Sequence, residues 1–159
     1  MATFVPDTQH ERDFRDALGQ FTTGVALVTA VGPDGPVGIT ANSFAAVSLE
    51  PPLVLWSPAR RSSRFPIFAE AERFSIHILA AAQLEICRHF TRRGDFDGVA
   101  HRLDDHGVPL LEGALARFDC RLAARHDGGD HLVILGHVEH VDTTPGEALV
   151  FRAGHFVTL

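Results

Sequence analysis

Small and polar side chains follow one another where a predicted strand ends, in the run Thr40-Ala41-Asn42-Ser43-Phe44-Ala45. Because such short side chains leave the backbone accessible, main-chain N–H and C=O groups can approach a planar ring and pair with donors and acceptors along its edge. The run therefore predicts a binding surface for a flat ligand such as a flavin. The alternative is an Asx-type turn in which Asn42 bonds its own backbone.

Hydroxyl and guanidinium groups gather in a second segment, from Ser57 to Arg64, which leads into a predicted helix at Phe65. Arginine binds phosphate through paired charge-assisted hydrogen bonds, and a helix N-terminus adds free N–H groups. The combination predicts a phosphate site. The alternative is a solvated basic loop in which Ser63 caps the helix.

A third segment, Gly128-Gly129-Asp130-His131, places a histidine beside a predicted hairpin tip. Because an imidazole changes its charge near neutral pH, His131 could position a substrate or donate a proton. The alternative is a surface or packing histidine.

Metal and thiol chemistry have less support in the sequence. No metal site is expected from the ten histidines, because H-E-x-x-H and Cys₂His₂-type spacings are missing. Cys87 and Cys120 form neither a C-x-x-C pair nor a disulfide framework, and Cys87 is expected to be a buried, inert thiol.

The elements that must position these segments are mostly short strands. Apolar and β-branched residues between turn signals predict strands at 25–31, 37–40, 47–49, 53–57, 74–79, 114–125, 131–141, 149–152 and 155–159. Helices are predicted at 65–71 and 81–90, and a lid or binding loop at 92–112. In strand 114–125, apolar residues alternate with charged ones such as Arg117 and Asp119, which predicts one buried and one wet face.

A further helix is predicted near the N-terminus. Thr8 and Glu11 have the spacing of a capping box, and Phe14, Leu18 and Phe21 fall on one helical face. Many short strands with two or three peripheral helices predict a nearly closed antiparallel barrel, as a single domain over residues 1–159. The βαβ alternation and glycine-rich signatures of nucleotide-binding parallel sheets are missing.

Composition narrows the classes of function. The chain has 159 residues, with Lys+Arg 14 against Asp+Glu 20 and a formal net charge of −6. Nucleic-acid binding needs a basic face, which this balance does not favour. No apolar run reaches the roughly 20 residues of a membrane span, and the polar start does not resemble a secretory signal. We expect a cytoplasmic protein that binds neither nucleic acid nor membrane.

Four motifs occur in order along the chain: Phe21-Thr22-Thr23-Gly24-Val25, Gly38-Ile39-Thr40-Ala41-Asn42-Ser43-Phe44, Ser48-Leu49-Glu50-Pro51-Pro52-Leu53-Val54-Leu55 and Gly129-Asp130-His131. Together they resemble the flavin reductase family of short, NAD(P)H-dependent enzymes with the FMN-binding split-barrel fold. The resemblance implies a mainly β, antiparallel Greek-key split barrel with peripheral helices, a homodimer, and FMN or FAD bound near the subunit interface. Relatives often carry a tyrosine where this chain has Phe156.

The resemblance also implies roles for individual residues. The isoalloxazine ring would lie against Thr40, Ala41, Asn42, Ser43, Phe44 and Ala45. Its phosphate tail would be held by Ser57, Arg60, Ser62 and Ser63, and the outer part of a flavin nucleotide by Thr91 and Arg92. Gly129, Asp130 and His131 would bind the nicotinamide of NADH or NADPH, and His131 would position that ring or, as a lesser role, donate a proton.

The reaction that the resemblance implies is direct hydride transfer from nicotinamide to flavin, which the cofactor carries and the protein positions. A loosely held flavin would then supply reduced flavin to a separate monooxygenase. Two alternatives stay open: a non-catalytic flavin- or haem-binding module on the same barrel, and an oxidase related to pyridoxamine-phosphate oxidases.

Overall fold

Antiparallel strands build most of the molecule, which a computed structural model describes over residues 3–157. The strands are β1 (Thr23–Gly24), β2 (Ala26–Gly32), β3 (Gly35–Ala41), β4 (Ala45–Leu49), β5 (Pro52–Trp56), β6 (Arg73–Ile78), β7 (His101–Leu103), β8 (Pro109–Leu111), β9 (Ala116–Gly128), β10 (His131–Thr143), β11 (Val150–Arg152) and β12 (His155–Val157). The helices are α1 (Glu11–Leu18), α2 (Phe65–Glu70) and α3 (Leu84–Arg92), with a 3₁₀ turn at Ala81–Gln83 before α3. The predicted last strand extends to residues 158 and 159, which lie outside the described residues.

Seven strands form the main sheet, in the order β3-β2-β6-β9-β10-β5-β4. Every neighbouring pair in it is antiparallel, and the β9–β10 hairpin lies between β5 and β6, which are consecutive in sequence. Separate sheets contain β1-β11-β12 and β7-β8. In the described part of the chain the edge strands β3 and β4 do not pair with each other, so the barrel is split. The predicted mainly β split-barrel class is confirmed.

Apolar side chains pack on both faces of the main sheet. Trp56, Phe68 and Phe74 are fully buried in one core under α2, where the Trp56 and Phe68 rings meet edge to face at 5.3 Å. A second core under α3 contains Leu27 and Phe90. Strand β2 contributes to both cores, which explains why the whole run from Ala26 to Ala30 is buried. This run is therefore apolar apart from Thr29 and does not alternate between apolar and polar residues.

The predicted capping of the first helix is wrong. Thr8 does not cap it: the N-cap residue is His10, without a side-chain cap, and Asp7 Oδ1 instead accepts from the backbone N–H of Gln9 at 2.9 Å. The predicted apolar face is exposed, with Phe14, Leu18 and Phe21 at 43%, 60% and 79%. Helical periodicity identifies an apolar stripe but not what covers it, and α1 buries no residue against this chain.

The segment 92–112, predicted as a lid or binding loop, contains regular secondary structure. It forms the β7–β8 hairpin, and Phe96, Val108, Leu110 and Leu111 in it are buried. Apolar residues without strand or helix periodicity can still be buried when they pack as a cover over a sheet face, and Phe96 and Leu111 belong to the core under α3.

The face of β9 predicted to be wet is covered at its start. Asp119 Oδ1 accepts from Ser75 Oγ at 2.7 Å and from Arg117 Nε at 3.0 Å, and Arg117 also pairs with Asp142. Arg117 is only 9% exposed. Only the second half of the strand, from Arg121 onward, keeps charged side chains exposed. Buried charges of this kind are tolerated when they are paired and hydrogen-bonded.

His77 on β6 connects the main sheet to the β7–β8 hairpin. The backbone N–H of Leu111 on β8 donates to Nε2 at 3.0 Å, so Nδ1 carries the proton and donates to the carbonyl oxygen of Leu27 on β2 at 3.1 Å. Burial lowers the pKa of His77 from 6.5 to about 4. The imidazole is therefore neutral in the folded protein at physiological pH.

No helix within residues 3–157 is long and apolar enough to cross a membrane. Over the same residues, the His, Cys, Asp and Glu side chains form no group of three or more that could hold a metal ion.

Acidification should destabilise the fold through His77. Below its unfolded pKa of 6.5 the unfolded chain binds a proton that the folded chain rejects down to about 4. The free energy of unfolding should therefore fall by roughly 3 kcal/mol between these pH values. Urea unfolding at several pH values measures this slope. His77→Gln should be less stable at neutral pH but show a flatter dependence, whereas the exposed His140→Gln should keep the wild-type slope. Equal slopes in all three proteins would contradict the assignment.

Candidate active site

The three segments singled out in the sequence surround one cavity of about 170 Å³. Its lining comes from the end of β3, the end of β5 with the following loop, and the start of β10. The lining residues are Ile39, Thr40, Ala41, Asn42, Ser43, Trp56, Ser57, Pro58, Ala59 and His131. Residues that are far apart in sequence are therefore brought to one place by the sheet.

A second cavity, of about 230 Å³, adjoins the first because Thr40, Ala41 and Asn42 line both. The rest of its lining comes from the start of β2, from α3 and from the β11–β12 hairpin: Val25, Cys87, Thr91, Phe151 and Phe156. The rings of Phe151 and Phe156 pack against each other at 5.3 Å across that hairpin. This second cavity is mostly apolar, with a few hydroxyl and amide groups at its wall.

One hydroxyl ties the end of β3 to the end of β5. Ser43 Oγ accepts from the backbone N–H of Ser57 at 2.9 Å and donates to the Ser57 carbonyl oxygen at 3.3 Å. Among residues 3–157 the Asn42 amide makes no hydrogen bond to its own backbone, so the Asx-type turn is not formed. Asn42 is exposed, and its side chain is available at the wall common to both cavities.

Helix α3 approaches β3 closely because position 38 is a glycine. A Cβ at Gly38 would lie 2.8 Å from the Phe90 ring, closer than real Cβ contacts allow. Arg64 then fastens the two elements, since its Nη1 donates to the carbonyl oxygens of Gly38 at 2.9 Å and Phe90 at 2.7 Å. Burial lowers the pKa of this guanidinium. The sequence placed Arg64 at the end of the predicted phosphate segment, but nothing local identifies its distant carbonyl partners.

The loop after β5 is attached to the tip of the β9–β10 hairpin. Arg60 Nε donates to the Gly129 carbonyl oxygen at 3.0 Å, and Arg60 Nη2 donates to Asp127 Oδ1 at 2.6 Å. The Arg60 backbone N–H donates to the Asp130 carbonyl oxygen at 2.9 Å. The predicted phosphate segment and the predicted nicotinamide segment are therefore neighbours. The hydrogen bonds of Arg60, however, are directed at the protein.

Asp130 and His131 form a close pair at the cavity rim. His131 Nδ1 lies 2.7 Å from Asp130 Oδ1, and this hydrogen bond is the main reason why the pKa of Asp130 is lowered. A carboxylate in this position favours the tautomer in which Nδ1 carries the proton. His131 lines the smaller cavity, where a ligand could reach its ring, a position that the surface or packing alternative does not require.

Eight of the predicted residues do not line either cavity. Phe44 packs against Phe118, with ring centroids 5.4 Å apart. Ser63 does not cap α2, whose N-cap is Arg64 without a side-chain cap, and Ser62 Oγ instead accepts from the Arg64 N–H at 3.3 Å. The predicted residues that belong to the lining of neither cavity are Phe44, Ala45, Arg60, Ser62, Ser63, Arg92, Gly129 and Asp130.

Several lining residues had not been predicted for the site. Cys87 is buried as expected, and burial raises the pKa of its thiol, but it also lines the larger cavity. Thr91, a weak prediction, lines the same cavity while its hydroxyl donates to the Cys87 carbonyl oxygen at 2.9 Å. Phe151, Phe156 and Trp56 were also missed. The signal that could have found the two phenylalanines is their position on either side of the Ala153-Gly154 turn.

Comparison with known proteins gives a consistent result. Residues 18–159 match the family described as "Flavin reductase like domain". The chain is 54% identical over 154 residues to "FMN reductase (NADH) SmoA" of Agrobacterium fabrum, covering 96% of this chain and 88% of that protein. It is 40% identical over 150 residues to "Flavin-dependent monooxygenase, reductase subunit HsaB" of Mycobacterium tuberculosis, covering 91% and 80%.

The fold is also similar to that of solved structures. The NADH:FAD oxidoreductase SgcE6 of Streptomyces globisporus superposes with a TM-score of 0.90 at 33% identity, over 100% of this chain and 99% of that one. The same enzyme in complex with NAD and FAD fragments superposes with a TM-score of 0.87 at 34% identity, over 98% and 96%.

Proposed function

The chain belongs to the flavin reductase-like family, and from that premise we propose that it transfers a hydride from NADH to FMN at the two adjoining cavities. The protein is an NADH-dependent flavin oxidoreductase. The choice of FMN and NADH is supported by the relative with 54% identity, named an FMN reductase (NADH). The single observation that carries the proposal is that residues 40–43, 57–59 and 131 line one cavity.

The residues present fit a flavin. An isoalloxazine is a flat, largely apolar ring with hydrogen-bonding groups along one edge. The wall shared by the cavities offers small side chains and the main chain of Thr40, Ala41 and Asn42, and the larger cavity adds the apolar surfaces of Phe151 and Phe156. Each cavity alone is below the roughly 300–1,000 Å³ of small-molecule sites, whereas the two together reach the lower part of that range.

We assign the phosphate of the flavin to the loop after β5. Ser57 lines the smaller cavity, and Ser62 and Ser63 follow it in the same loop. The hydrogen bonds of Arg60 go to Asp127 and Gly129, and its charge is paired with that of Asp127, so the serine hydroxyls carry this contact. Thr91 and Arg92, at the end of α3, are proposed to contact the outer part of the nucleotide.

A bound flavin would supply the electron chemistry itself, because it can accept one hydride, a proton with two electrons, directly from nicotinamide. The chain contributes position. Main-chain groups of residues 40–45 would orient the flavin edge and oppose the charge that develops on it. Gly129, Asp130 and His131 would hold the nicotinamide at the rim of the smaller cavity, and the Asp130 carboxylate would fix the orientation of the His131 ring.

Reduction of free flavin by NADH is the first test of this function. The purified protein should oxidise NADH at a rate that rises with added FMN, and FMN should give a higher kcat/KM than FAD. Initial rates for both nucleotides with both flavins, followed by NADH absorbance, measure this. A heat-inactivated sample is the control. Absence of turnover above that control in all four combinations would refute the proposal.

Replacing His131 should affect the nicotinamide and not the flavin. His131→Ala should raise the KM for NADH about tenfold, because a positioning contact at the rim is lost, while the Kd for FMN changes less than twofold. Initial-rate kinetics and FMN titration by fluorescence quenching measure the two effects. His126→Ala, on the same hairpin but exposed, is the matched control and should behave like wild type. Equal losses of NADH and FMN binding would contradict the assignment of His131.

No observation favours the non-catalytic binding module or the pyridoxamine-phosphate oxidase alternative. The relatives reported above are named as reductases or as the reductase subunit of a monooxygenase. We propose by the same argument that this chain supplies reduced flavin to a separate monooxygenase. A cytoplasmic location, expected from the sequence, stays a prediction.

We further propose that the chain is a homodimer. Apolar side chains at the end of α1, just after it and on the edge strand β4 are exposed in the single chain, with Leu18 at 60%, Phe21 at 79% and Leu49 at 96%. Exposed apolar surface of this kind is typical of an interface, and an edge strand with such residues is otherwise prone to aggregation.

A charge on β4 should separate the subunits. The wild-type protein should sediment at about twice the 17.3 kDa of one chain. Leu49→Glu should shift it toward the single chain, because a carboxylate cannot be buried without a partner. Leu103→Glu is the control, since Leu103 is also exposed but lies on β7, away from α1 and β4 in sequence. A wild-type protein that sediments as one chain would refute the proposed dimer.

A further inference from the structure

The β9–β10 hairpin extends beyond the sheet that anchors it. β9 last pairs with β6 at Arg121, and β10 first pairs with β5 at Ile134, so residues 123–133 form a two-stranded ribbon. Such a ribbon is at best marginally stable in water by itself. At its tip, Gly129 has φ +74 and no neighbouring atom within 4 Å of the position that a Cβ would take. Contacts other than tip packing must therefore set the position of the tip.

Arg60 provides such contacts at the tip itself, whereas Arg125 holds the ribbon nearer its base by donating to the Ala71 carbonyl oxygen at 3.2 Å. The Arg60 guanidinium donates from Nε to the Gly129 carbonyl oxygen and from Nη2 to Asp127 Oδ1, while its backbone N–H donates to the Asp130 carbonyl oxygen. The guanidinium carbon lies 5.6 Å from the centre of the Phe65 ring, which supports the plane of the group. One residue thus holds three positions of the ribbon tip.

The next residue along the tip lines the smaller cavity. His131 forms an isolated β-bridge with Ala59, and the Leu132 N–H donates to the Pro58 carbonyl oxygen at 3.1 Å. The attachment made by Arg60 therefore continues directly into the cavity wall. A displacement of the tip would move His131 relative to the wall formed by residues 40–42.

The Arg60–Asp127 pair is exposed, so its loss can move the hairpin tip without greatly lowering the stability of the fold. The two side chains are 42% and 81% exposed, and exposed ion pairs contribute only about 0–1 kcal/mol to folding. Variants at these residues should therefore fold. The geometry itself needs a planar fork that donates in two directions, which an ammonium group cannot reproduce from one point.

We propose that Arg60 is a positioning residue for the nicotinamide: its bonds to Gly129 and Asp127 fix the ribbon tip and hold His131 at the cavity rim. This inference rests on the proposed function, because it takes NADH to bind at that rim. The sequence predicted that Arg60 binds the flavin phosphate. The hydrogen bonds of Arg60 go instead to the hairpin.

Kinetics of Asp127→Asn, Arg60→Lys and Arg60→Met test the proposal. Asp127→Asn keeps an acceptor oxygen but loses its charge, so the weakened clamp should raise the KM for NADH about fivefold. Loss of the clamp in Arg60→Met should raise it about tenfold, with the KM for FMN within twofold of wild type in both variants. Arg60→Lys should not restore the wild-type KM. Asp127→Asn is the sharpest variant, because removing a negative charge would by electrostatics alone improve the binding of an anionic nucleotide. Arg102→Met, an exposed arginine on β7, is the control and should match wild type.

Hydrogen–deuterium exchange gives a readout that does not depend on turnover. In the nucleotide-free protein, peptides covering residues 123–133 should exchange at least threefold faster in Asp127→Asn and Arg60→Met. Peptides covering residues 26–41 should exchange at the wild-type rate, which shows that the sheet is intact. Unchanged exchange at 123–133 in both variants would overturn the proposed clamp.

The remaining outcomes are equally distinct. A rise in the KM for FMN without a rise for NADH would make Arg60 a phosphate ligand and overturn the proposal. A lower KM for NADH in Asp127→Asn would overturn it in favour of simple charge attraction. If the wild-type protein has no turnover, the proposed function fails, while the exchange measurement still decides whether Arg60 holds the tip.

Discussion

Two arginines of one short loop connect parts of the chain that local structure would leave apart. Arg64 donates to carbonyl oxygens on β3 and at the end of α3, and Arg60 donates to the tip of the β9–β10 hairpin. The position of β3 beside α3 and the position of the hairpin tip next to His131 both depend on this loop. A guanidinium is suited to the task because it stays charged and donates in several directions from one rigid plane.

The buried polar groups of the sheet form a second constraint. Ser75, Asp119 and Arg117 satisfy one another, and His77 connects β2, β6 and β8 through its two ring nitrogens. Each of these groups would be costly if it lost a partner, because an unpaired buried polar group keeps its full desolvation penalty. His77 therefore fixes how the β7–β8 hairpin covers the sheet, and all four of these residues lie outside the lining of both cavities.

The site contains few groups suited to strong acid–base or nucleophilic chemistry, and its reaction does not require them. Cys87 is kept protonated by burial, and Thr91 donates its hydroxyl proton to a helix carbonyl. What the cavities offer is an accessible main chain, aromatic surface and one histidine oriented by a carboxylate. That inventory suits an enzyme whose cofactors carry the electrons and whose protein aligns two rings.

Most of the strands, the turns at 32–35 and 153–154, and the three segments that meet at the site could be predicted from the sequence, because strand alternation and turn chemistry are local properties. What lies opposite each residue depends on the folded chain. There the apolar stripe of α1 is exposed, Arg117 is buried and paired with Asp142, Arg60 is directed toward Asp127, and Phe151, Phe156 and Cys87 line the larger cavity. These outcomes depend on partners tens of residues away, and periodicity within one segment carries no information about such partners.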